Sequence, residues 1–222
     1  MKRAADFRAM ARGCLRGRWL PAVGVTLVAS ILGAWISIDP TSFITNIFNG
    51  FIRDNDQTMA APGLLTLFIV TAQLLIGCMV IPGLVQYNLQ LSDGKYASIG
   101  HLFCRRAIWG KAIWLQCRIM IFTFLWALLL VVPGIIKSYS YSMSAFILSE
   151  HPDMSAKDAM EASKRMMNGN KWRLFCLKFS FIGWMILSVI TAGIGAIWLA
   201  PYMNAAITEF YKEVAEKDAL TA

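Results

Sequence analysis

Long stretches without a charged residue constrain the fold of this chain more than any other feature. No Asp, Glu, Lys or Arg occurs from Trp19 to Ile38, and none occurs between Lys178 and Glu209. About 20 apolar helical residues are enough to cross the roughly 30 Å hydrocarbon core of a bilayer. The chain is 57% hydrophobic and 15% charged, whereas soluble domains average about 45–50% and about 25%. The sequence therefore predicts helices that face lipid.

Charges, prolines and glycines divide the apolar stretches into about six predicted spans. The predicted spans are Trp19 to Ile38, Gly63 to Leu91, Ala112 to Val132, Ile135 to Ser149, and two helices between Lys178 and Glu209, separated by the stretch Thr191 to Gly195. The span from Ile135 to Ser149 is short, and whether it crosses fully stays open. The predicted fold class is all-α: a polytopic transmembrane helical bundle with short interfacial amphipathic helices.

The distribution of basic residues predicts the orientation of this bundle. With an even number of spans, Arg53 and Lys137 are the only loop cations on one side, and the other loop cations share the opposite side. Cytoplasmic loops carry the excess of Lys and Arg in membrane proteins. The chain is thus predicted to be a multi-pass protein of the bacterial cytoplasmic (inner) membrane with both termini cytoplasmic. It forms a single integral membrane domain, 1–222, with an amphipathic helix at 1–18, an exterior loop at 39–62, cytoplasmic loops at 92–111 and 150–172, and a tail at 210–222.

Three basic segments adjoin the predicted spans, and the first is the most distinctive. Arg8, Arg12 and Arg16 recur at every fourth residue, so they lie on one face of a helix. Like charges at this spacing repel one another. An anionic lipid surface removes that repulsion, so we expect anionic headgroups as a partner. In the third segment, Ser155 and Asp158 resemble a capping box and predict a helix start.

A glycine, a basic or polar residue and a tryptophan open three of the predicted spans, at Gly17, Gly110 and Gly169. Tryptophan favours the headgroup level, so the pattern has a physical cause without shared ancestry; an internal repeat of three helical hairpins is the alternative, and both stay open. The residues predicted to anchor the chain to lipid or to the interface are Arg8, Arg12, Arg16, Arg18, Trp19, Lys111, Trp114, Lys171 and Trp172.

Polar residues inside the predicted spans indicate a second possibility, because such residues are costly in lipid and often functional. A possible intramembrane polar pathway is formed by Arg118, Gln73, Tyr139, Tyr141, Asn204 and Glu209. Arg118 and Glu209 are a candidate gate pair if they share one cavity. Helix packing is the competing explanation for all of these residues.

Neither metal nor catalytic chemistry is indicated by the motifs. The five cysteines form no CxxC pair, and His101 and His151 lie fifty residues apart. No catalytic triad, zinc-protease motif or phosphate-binding glycine loop is present. We expect no enzyme activity, no catalytic residues, no metal and no cofactor. Nucleic acid is also not an expected partner, because the net charge of +8 is spread over short segments.

Two long motifs resemble a known family. They are Phe124 to Met143, with Val132-Pro-Gly-Ile-Ile-Lys-Ser-Tyr, and Ser163 to Phe175, with Met166-Met-Asn-Gly-Asn-Lys-Trp-Arg; the stretches Leu177 to Trp184 and Thr191 to Tyr202 extend the likeness. The sequence resembles the bacterial integral-membrane family catalogued as domain of unknown function 975. The resemblance implies a polytopic membrane protein and carries over no activity.

The expected function is that of a non-enzymatic membrane module that engages anionic lipid or a partner protein. The partners are then the phospholipid bilayer, a membrane protein partner or further copies of the chain. The alternative is a transporter or channel for a small solute or lipid. A continuous polar cavity favours the transporter, and a solid bundle favours the module.

Overall fold

The computed structural model describes residues 2–32, 63–95, 108–129, 131–191 and 194–221. The elements in these ranges are ten helices, so the all-α prediction is confirmed. The helices are α1 (Ala4–Leu15), α2 (Trp19–Ile31), α3 (Gly63–Ser92), α4 (Trp109–Leu129), α5 (Val131–Tyr141), α6 (Ser144–Glu150), α7 (Ala156–Met166), α8 (Lys171–Phe179), α9 (Ile182–Ile190) and α10 (Ile194–Thr221). The predicted exterior loop, 39–62, lies outside the described residues.

The predicted transmembrane bundle is wrong for the part of the chain that the structure describes. No helix there combines the length and the apolarity that a membrane crossing requires. This finding overturns the prediction of about six spans. It equally overturns the predicted classification as a transmembrane protein and the predicted multi-pass location in the bacterial inner membrane with both termini cytoplasmic.

Helix breaks explain the error for part of the uncharged stretches. Helix α2 has 13 residues, about 20 Å of helix at 1.5 Å per residue. The predicted span from Ile135 to Ser149 is divided by a turn at Ser142 and Met143. The stretch between Lys178 and Glu209 contains α9, which has only nine residues. A run without charges measures apolarity, but it does not measure how far one helix continues.

Helix α10 is the element on which the others assemble, since it packs against α1, α2, α3 and α9. Helix α1 lies in the segment predicted as amphipathic, and its apolar side chains Phe7, Ala11 and Leu15 are buried in the protein core. The ring of Phe7 meets Phe210 edge to face, with centroids 5.5 Å apart. The apolar face of α1 therefore covers another helix of the same chain.

The predicted helix start at Ser155 is present in the structure. The side chain of Ser155 accepts a hydrogen bond of 3.2 Å from the backbone N–H of Asp158 and so caps α7. Gly17 and Gly169 have φ of 79° and 77°, a backbone region that glycine adopts without strain. Gly110, in contrast, lies inside α4. The three similar glycine and tryptophan patterns thus do not share one local structure.

An arginine from α8 joins α1 to α10. The guanidinium of Arg173 lies 5.9 Å from the ring centroid of Phe7 and 5.6 Å from that of Phe210. It donates a hydrogen bond of 2.7 Å to Glu213 Oε1 and one of 3.2 Å to the backbone carbonyl of Lys2. Lys217 also donates to Glu213 Oε1, at 2.7 Å. This cluster fixes the N-terminal half of α1 on α10.

The charge of Glu213 is stabilised within this cluster. Burial on its own raises the pKa of this carboxyl, but the hydrogen bonds from Lys217 and Arg173 outweigh burial and hold its pKa below the ordinary value of 4.5. A carboxyl whose pKa is lower in the folded chain stabilises the fold above the unfolded pKa. That contribution is lost as the pH falls through the pKa of the folded state.

We predict that the free energy of unfolding decreases as the pH falls below about 4.5 and that Glu213→Gln removes part of this dependence. The same variant should lower stability at neutral pH by about 2–3 kcal/mol, because it removes the carboxylate that pairs with the mostly buried Arg173. Chemical denaturation over a pH series measures both effects. Glu161→Gln, at an exposed carboxylate on α7, is the control; equal pH profiles for both variants would contradict the prediction.

Candidate functional site

A pocket of about 570 Å³ lies between α1, the start of α2, and the hairpin formed by α9 and α10. Its lining combines two cations, four aromatic side chains and aliphatic groups. The residues used below are Arg8, Arg12, Trp19, Trp184, Trp198 and Tyr202. We call this the arginine–tryptophan pocket. Its volume lies within the roughly 300–1,000 Å³ that is typical of small-molecule sites.

Close contact between α9 and α10 forms one wall of the pocket. A Cβ atom on Gly195 would lie 2.9 Å from Ser188 Oγ and 3.1 Å from Ser188 Cα, so only glycine fits there. The backbone N–H of Gly195 donates a hydrogen bond of 3.2 Å to Thr191 Oγ1, in the turn between the helices. This approach sets where Trp184 and Trp198 stand relative to each other.

The opposite wall is supplied by α1, which places Arg8 and Arg12 one turn apart. Arg8 is held by a long hydrogen bond of 3.5 Å from its Nη1 to the carbonyl of Ser180. The carbonyl of Arg8 accepts hydrogen bonds from the hydroxyl of Tyr202 at 3.3 Å and from Arg12 Nε at 3.4 Å. These contacts connect the arginines to both α10 and the turn before α9.

The positive charge of this wall is not neutralised within the part of the chain that the structure describes. Among the described residues, no carboxylate forms an ion pair with Arg8, Arg12 or Arg16. The Nε atom of Arg8 is buried without a hydrogen-bond partner. A buried donor without a partner costs about 1–3 kcal/mol. The pocket is thus suited to an anionic group.

The aromatic wall is unusually exposed for apolar side chains of this size. Trp184 and Trp198 are each 53% exposed, and Ile194 is 61% exposed. Helix α9 exposes further apolar side chains, including Ile190 at 75%. Contiguous exposed apolar surface on a folded chain commonly marks a binding site. The arrangement therefore accommodates a molecule with an anionic end and an apolar end.

A second polar cluster lies beside the pocket, around the carboxylate of Glu209. The Oε1 atom of Glu209 accepts hydrogen bonds from the Ser92 hydroxyl and from Cys14 Sγ, the latter at 3.3 Å. Burial, followed by the hydrogen bond and the negative charge of Glu209, raises the pKa of the Cys14 thiol to about 11. Cys14 therefore stays protonated at neutral pH and acts as a hydrogen-bond donor between α1 and α10.

The predicted anchoring residues are distributed over several elements. Arg8, Arg12 and Trp19 come together in the arginine–tryptophan pocket. Arg16 is exposed, whereas Arg18 donates hydrogen bonds of 2.7 Å and 3.0 Å to the backbone carbonyls of Gly94 and Lys95. The arginine of the first Gly-Trp pattern thus ties the start of α2 to the end of α3.

The other predicted anchors lie on α4 and α8. Lys111 Nζ donates a hydrogen bond of 2.6 Å to the carbonyl of Pro152. Trp114 is 61% exposed and Trp172 is 71% exposed, and Trp172 stacks on Phe175 with centroids 5.1 Å apart. Lys171 begins α8 and is partly exposed. These residues do not line the arginine–tryptophan pocket.

The residues of the predicted polar pathway occupy different environments. Tyr141 and Asn204 line a second, smaller cavity. Arg118 lies 5.8 Å from the ring centroid of Trp114, and Glu209 belongs to the thiol cluster. Neither Arg118 nor Glu209 lines either of the two cavities, so the structure does not bring this candidate gate pair into one of them.

Tyr139 and Gln73 are the two remaining residues of the predicted polar pathway. The ring of Tyr139 lies 6.2 Å from that of Phe175 and 5.3 Å from Lys178 Nζ. Gln73 lies on α3, and its side chain is outside what the structure describes.

Sequence reasoning missed Trp184, Trp198 and Tyr202 as pocket residues. A signal existed, since Trp184 and Trp198 stand at equal distances in sequence from Thr191, in the predicted break.

Comparison with known families gives one match. A family model described as "Protein of unknown function (DUF975)" matches residues 105–218, about half of the chain, which confirms the family resemblance found in the sequence. No curated protein and no solved structure matches the chain. The matched residues include α9 and most of α10, which supply Trp184, Trp198 and Tyr202, whereas Arg8, Arg12 and Trp19 precede them.

The thiol cluster leads to a prediction about cysteine reactivity. At neutral pH, Cys14 should react with iodoacetamide more slowly than the exposed Cys117, because the thiolate is the nucleophile. Glu209→Gln should increase the Cys14 rate, since it removes the charge that raises the pKa of this thiol. Peptide mass spectrometry over a time course measures both rates. Glu216→Gln, at an exposed carboxylate on the same helix, is the control; an unchanged Cys14 rate in Glu209→Gln would contradict the prediction.

Proposed function

We propose that this chain, which belongs to the family described as a protein of unknown function (DUF975), is a non-catalytic helical module that binds an anionic lipid molecule. The arginine–tryptophan pocket is the site. Arg8 and Arg12 bind the headgroup phosphate, and the tryptophans with the exposed side chains of α9 contact the acyl chains. The observation that carries this proposal is one pocket with two guanidinium groups on one wall, neither in an ion pair with a described carboxylate, and exposed tryptophans on the other.

The cationic wall supports a phosphate ligand for two reasons. Guanidinium groups present a planar fork of donors that matches phosphate oxygens. The repeated spacing of Arg8 and Arg12 also keeps two like charges one helical turn apart, which destabilises an isolated helix by a few tenths of a kcal/mol. A bound phosphate offsets this repulsion by placing negative charge beside both guanidinium groups.

The aromatic wall supports an amphiphile in preference to a free phosphate ion. Tryptophan combines a large apolar surface with one polar N–H, and it is favoured where apolar and wet regions meet. Trp184 and Trp198 line the pocket with half of their surface exposed. Beyond the pocket, Met185, Ile186 and Ile190 continue this apolar surface along α9. A small inorganic anion makes no use of that surface.

We predict different vesicle affinities for two double variants of the full chain that lose the same positive charge. Arg8→Gln/Arg12→Gln should weaken association with phosphatidylcholine vesicles that contain phosphatidylglycerol by about thirtyfold in Kd, taking about 1 kcal/mol per basic residue. Lys164→Gln/Arg165→Gln removes the same charge from the exposed end of α7 and should leave the affinity unchanged. Vesicle co-sedimentation at two salt concentrations measures both. Equal binding to pure phosphatidylcholine vesicles, or equal weakening by both pairs, would contradict the proposal.

A glycine substitution tests the shape of the pocket without altering any charge. Gly195→Ala places a Cβ against Ser188 and should push α9 away from α10, which we expect to cost about 1–3 kcal/mol of stability and to weaken lipid binding. Gly183→Ala, on the same hairpin, meets no atom within 4 Å and should bind as the unaltered chain does. The same vesicle assay, with thermal denaturation as a check of folding, measures this. Undiminished binding by folded Gly195→Ala would place the lipid elsewhere.

A further inference from the structure

A smaller cavity of about 60 Å³ lies among α3, α4, α5, α6, α8 and α10 and the turn after α5. Six polar side chains line it: Asn88, Gln116, Tyr141, Ser142, Lys178 and Asn204. We call this the inner cavity. None of the six lines the arginine–tryptophan pocket, so the inner cavity is a separate feature of the chain.

Three polar groups in the inner cavity have no hydrogen-bond partner among the residues that the structure describes. Asn88 is only 6% exposed, and no described residue forms a hydrogen bond with its carboxamide or with that of Asn204. The hydroxyl of Tyr141 is likewise without a partner among the described residues. Asn204 and Tyr141 are partly exposed. A polar occupant of the cavity can form hydrogen bonds with these three groups.

The charge of the lining determines the class of occupant. Lys178 brings an ammonium group, and no carboxylate of a described residue lines the cavity. Burial raises the pKa of Tyr141, so its hydroxyl remains a donor at neutral pH. The amide groups of Asn88 and Asn204 also offer N–H donors. The inner cavity therefore presents donors and one positive charge, which together suit an anion.

The size of the cavity limits the anion to a few atoms. A water needs about 10–15 Å³ of cavity volume of this kind, so the cavity of about 60 Å³ has room for about four waters or an organic anion of about four heavy atoms. A phospholipid headgroup is too large. We propose that the inner cavity binds a small monocarboxylate, with its oxygens between the Lys178 ammonium and the carboxamides of Asn88 and Asn204.

Acetate and acetamide provide a matched pair of probes, because they have almost the same shape and differ in charge. Titrations into the ¹⁵N-labelled full chain are followed through the side-chain N–H signals of Asn88 and Asn204. Sodium gluconate, whose anion is too large for the cavity, keeps the ionic strength constant. We expect saturable shifts of both signals with acetate and none with acetamide or gluconate. Equal binding of acetamide, or no saturable shift with acetate, would overturn the proposal.

Variants test whether the named residues hold the acetate. Asn204→Leu and Lys178→Met should each weaken acetate binding by at least about tenfold, the effect of one charge-assisted hydrogen bond. Asn168→Leu and Lys164→Met are the matched controls, since both residues are exposed outside the cavity. Asn204→Asp, which hardly alters shape, should abolish acetate binding by placing a carboxylate in the cavity. Unchanged acetate affinity in folded Asn204→Asp would overturn the proposal.

Discussion

The packing of α1 on α10 is the interaction on which the rest of the structure depends. Phe7 and Phe210 meet edge to face, Arg173 covers both rings, and Glu213 binds the guanidinium from α10. This arrangement buries the apolar face of α1 and leaves Arg8 and Arg12 on the adjacent face, about 100° around the helix. Because Arg8 and Arg12 line the arginine–tryptophan pocket only while α1 stays in this position, the core contact and the candidate site are parts of one assembly.

The two cavities use the same helices in different ways. Helix α10 contributes Trp198 and Tyr202 to the arginine–tryptophan pocket and Asn204 to the inner cavity. These positions are only a few residues apart, so successive turns of one helix serve two separate environments. One environment is wide, aromatic and partly exposed, and the other is small and rich in hydrogen-bond donors.

Local features were predictable from the sequence where local physics determines them. The all-α class, the amphipathic segment of α1 and the cap at Ser155 all follow from residues within a few positions of each other. The extent of the long helices did not follow. The turn at Ser142 and Met143 and the end of α2 at Ile31 interrupt apolar runs without any charge to mark them. Apolar composition alone therefore led to the wrong prediction of membrane spans.

The candidate site was predictable only in part. The spacing of Arg8 and Arg12 indicated an anionic partner, and both residues do line a pocket with Trp19. The aromatic wall and the inner cavity depend on helix packing between distant segments, which a single sequence does not specify. Asn88, for example, lies near Asn204 only because α3 packs on α10. The thiol contact between Cys14 and Glu209 is of the same long-range kind.

The contacts of α1 also impose an order on the folding of the chain. Its hydrogen bonds reach 172 residues to Ser180, 194 residues to Tyr202 and 195 residues to Glu209. Pairings at such separations form late, because a long loop must close before they contribute. During synthesis, α1 therefore has to wait for α10 to leave the ribosome. Until then the apolar face of α1 lacks the surface of α10 that buries it, so Phe7, Ala11 and Leu15 stay exposed on the nascent chain.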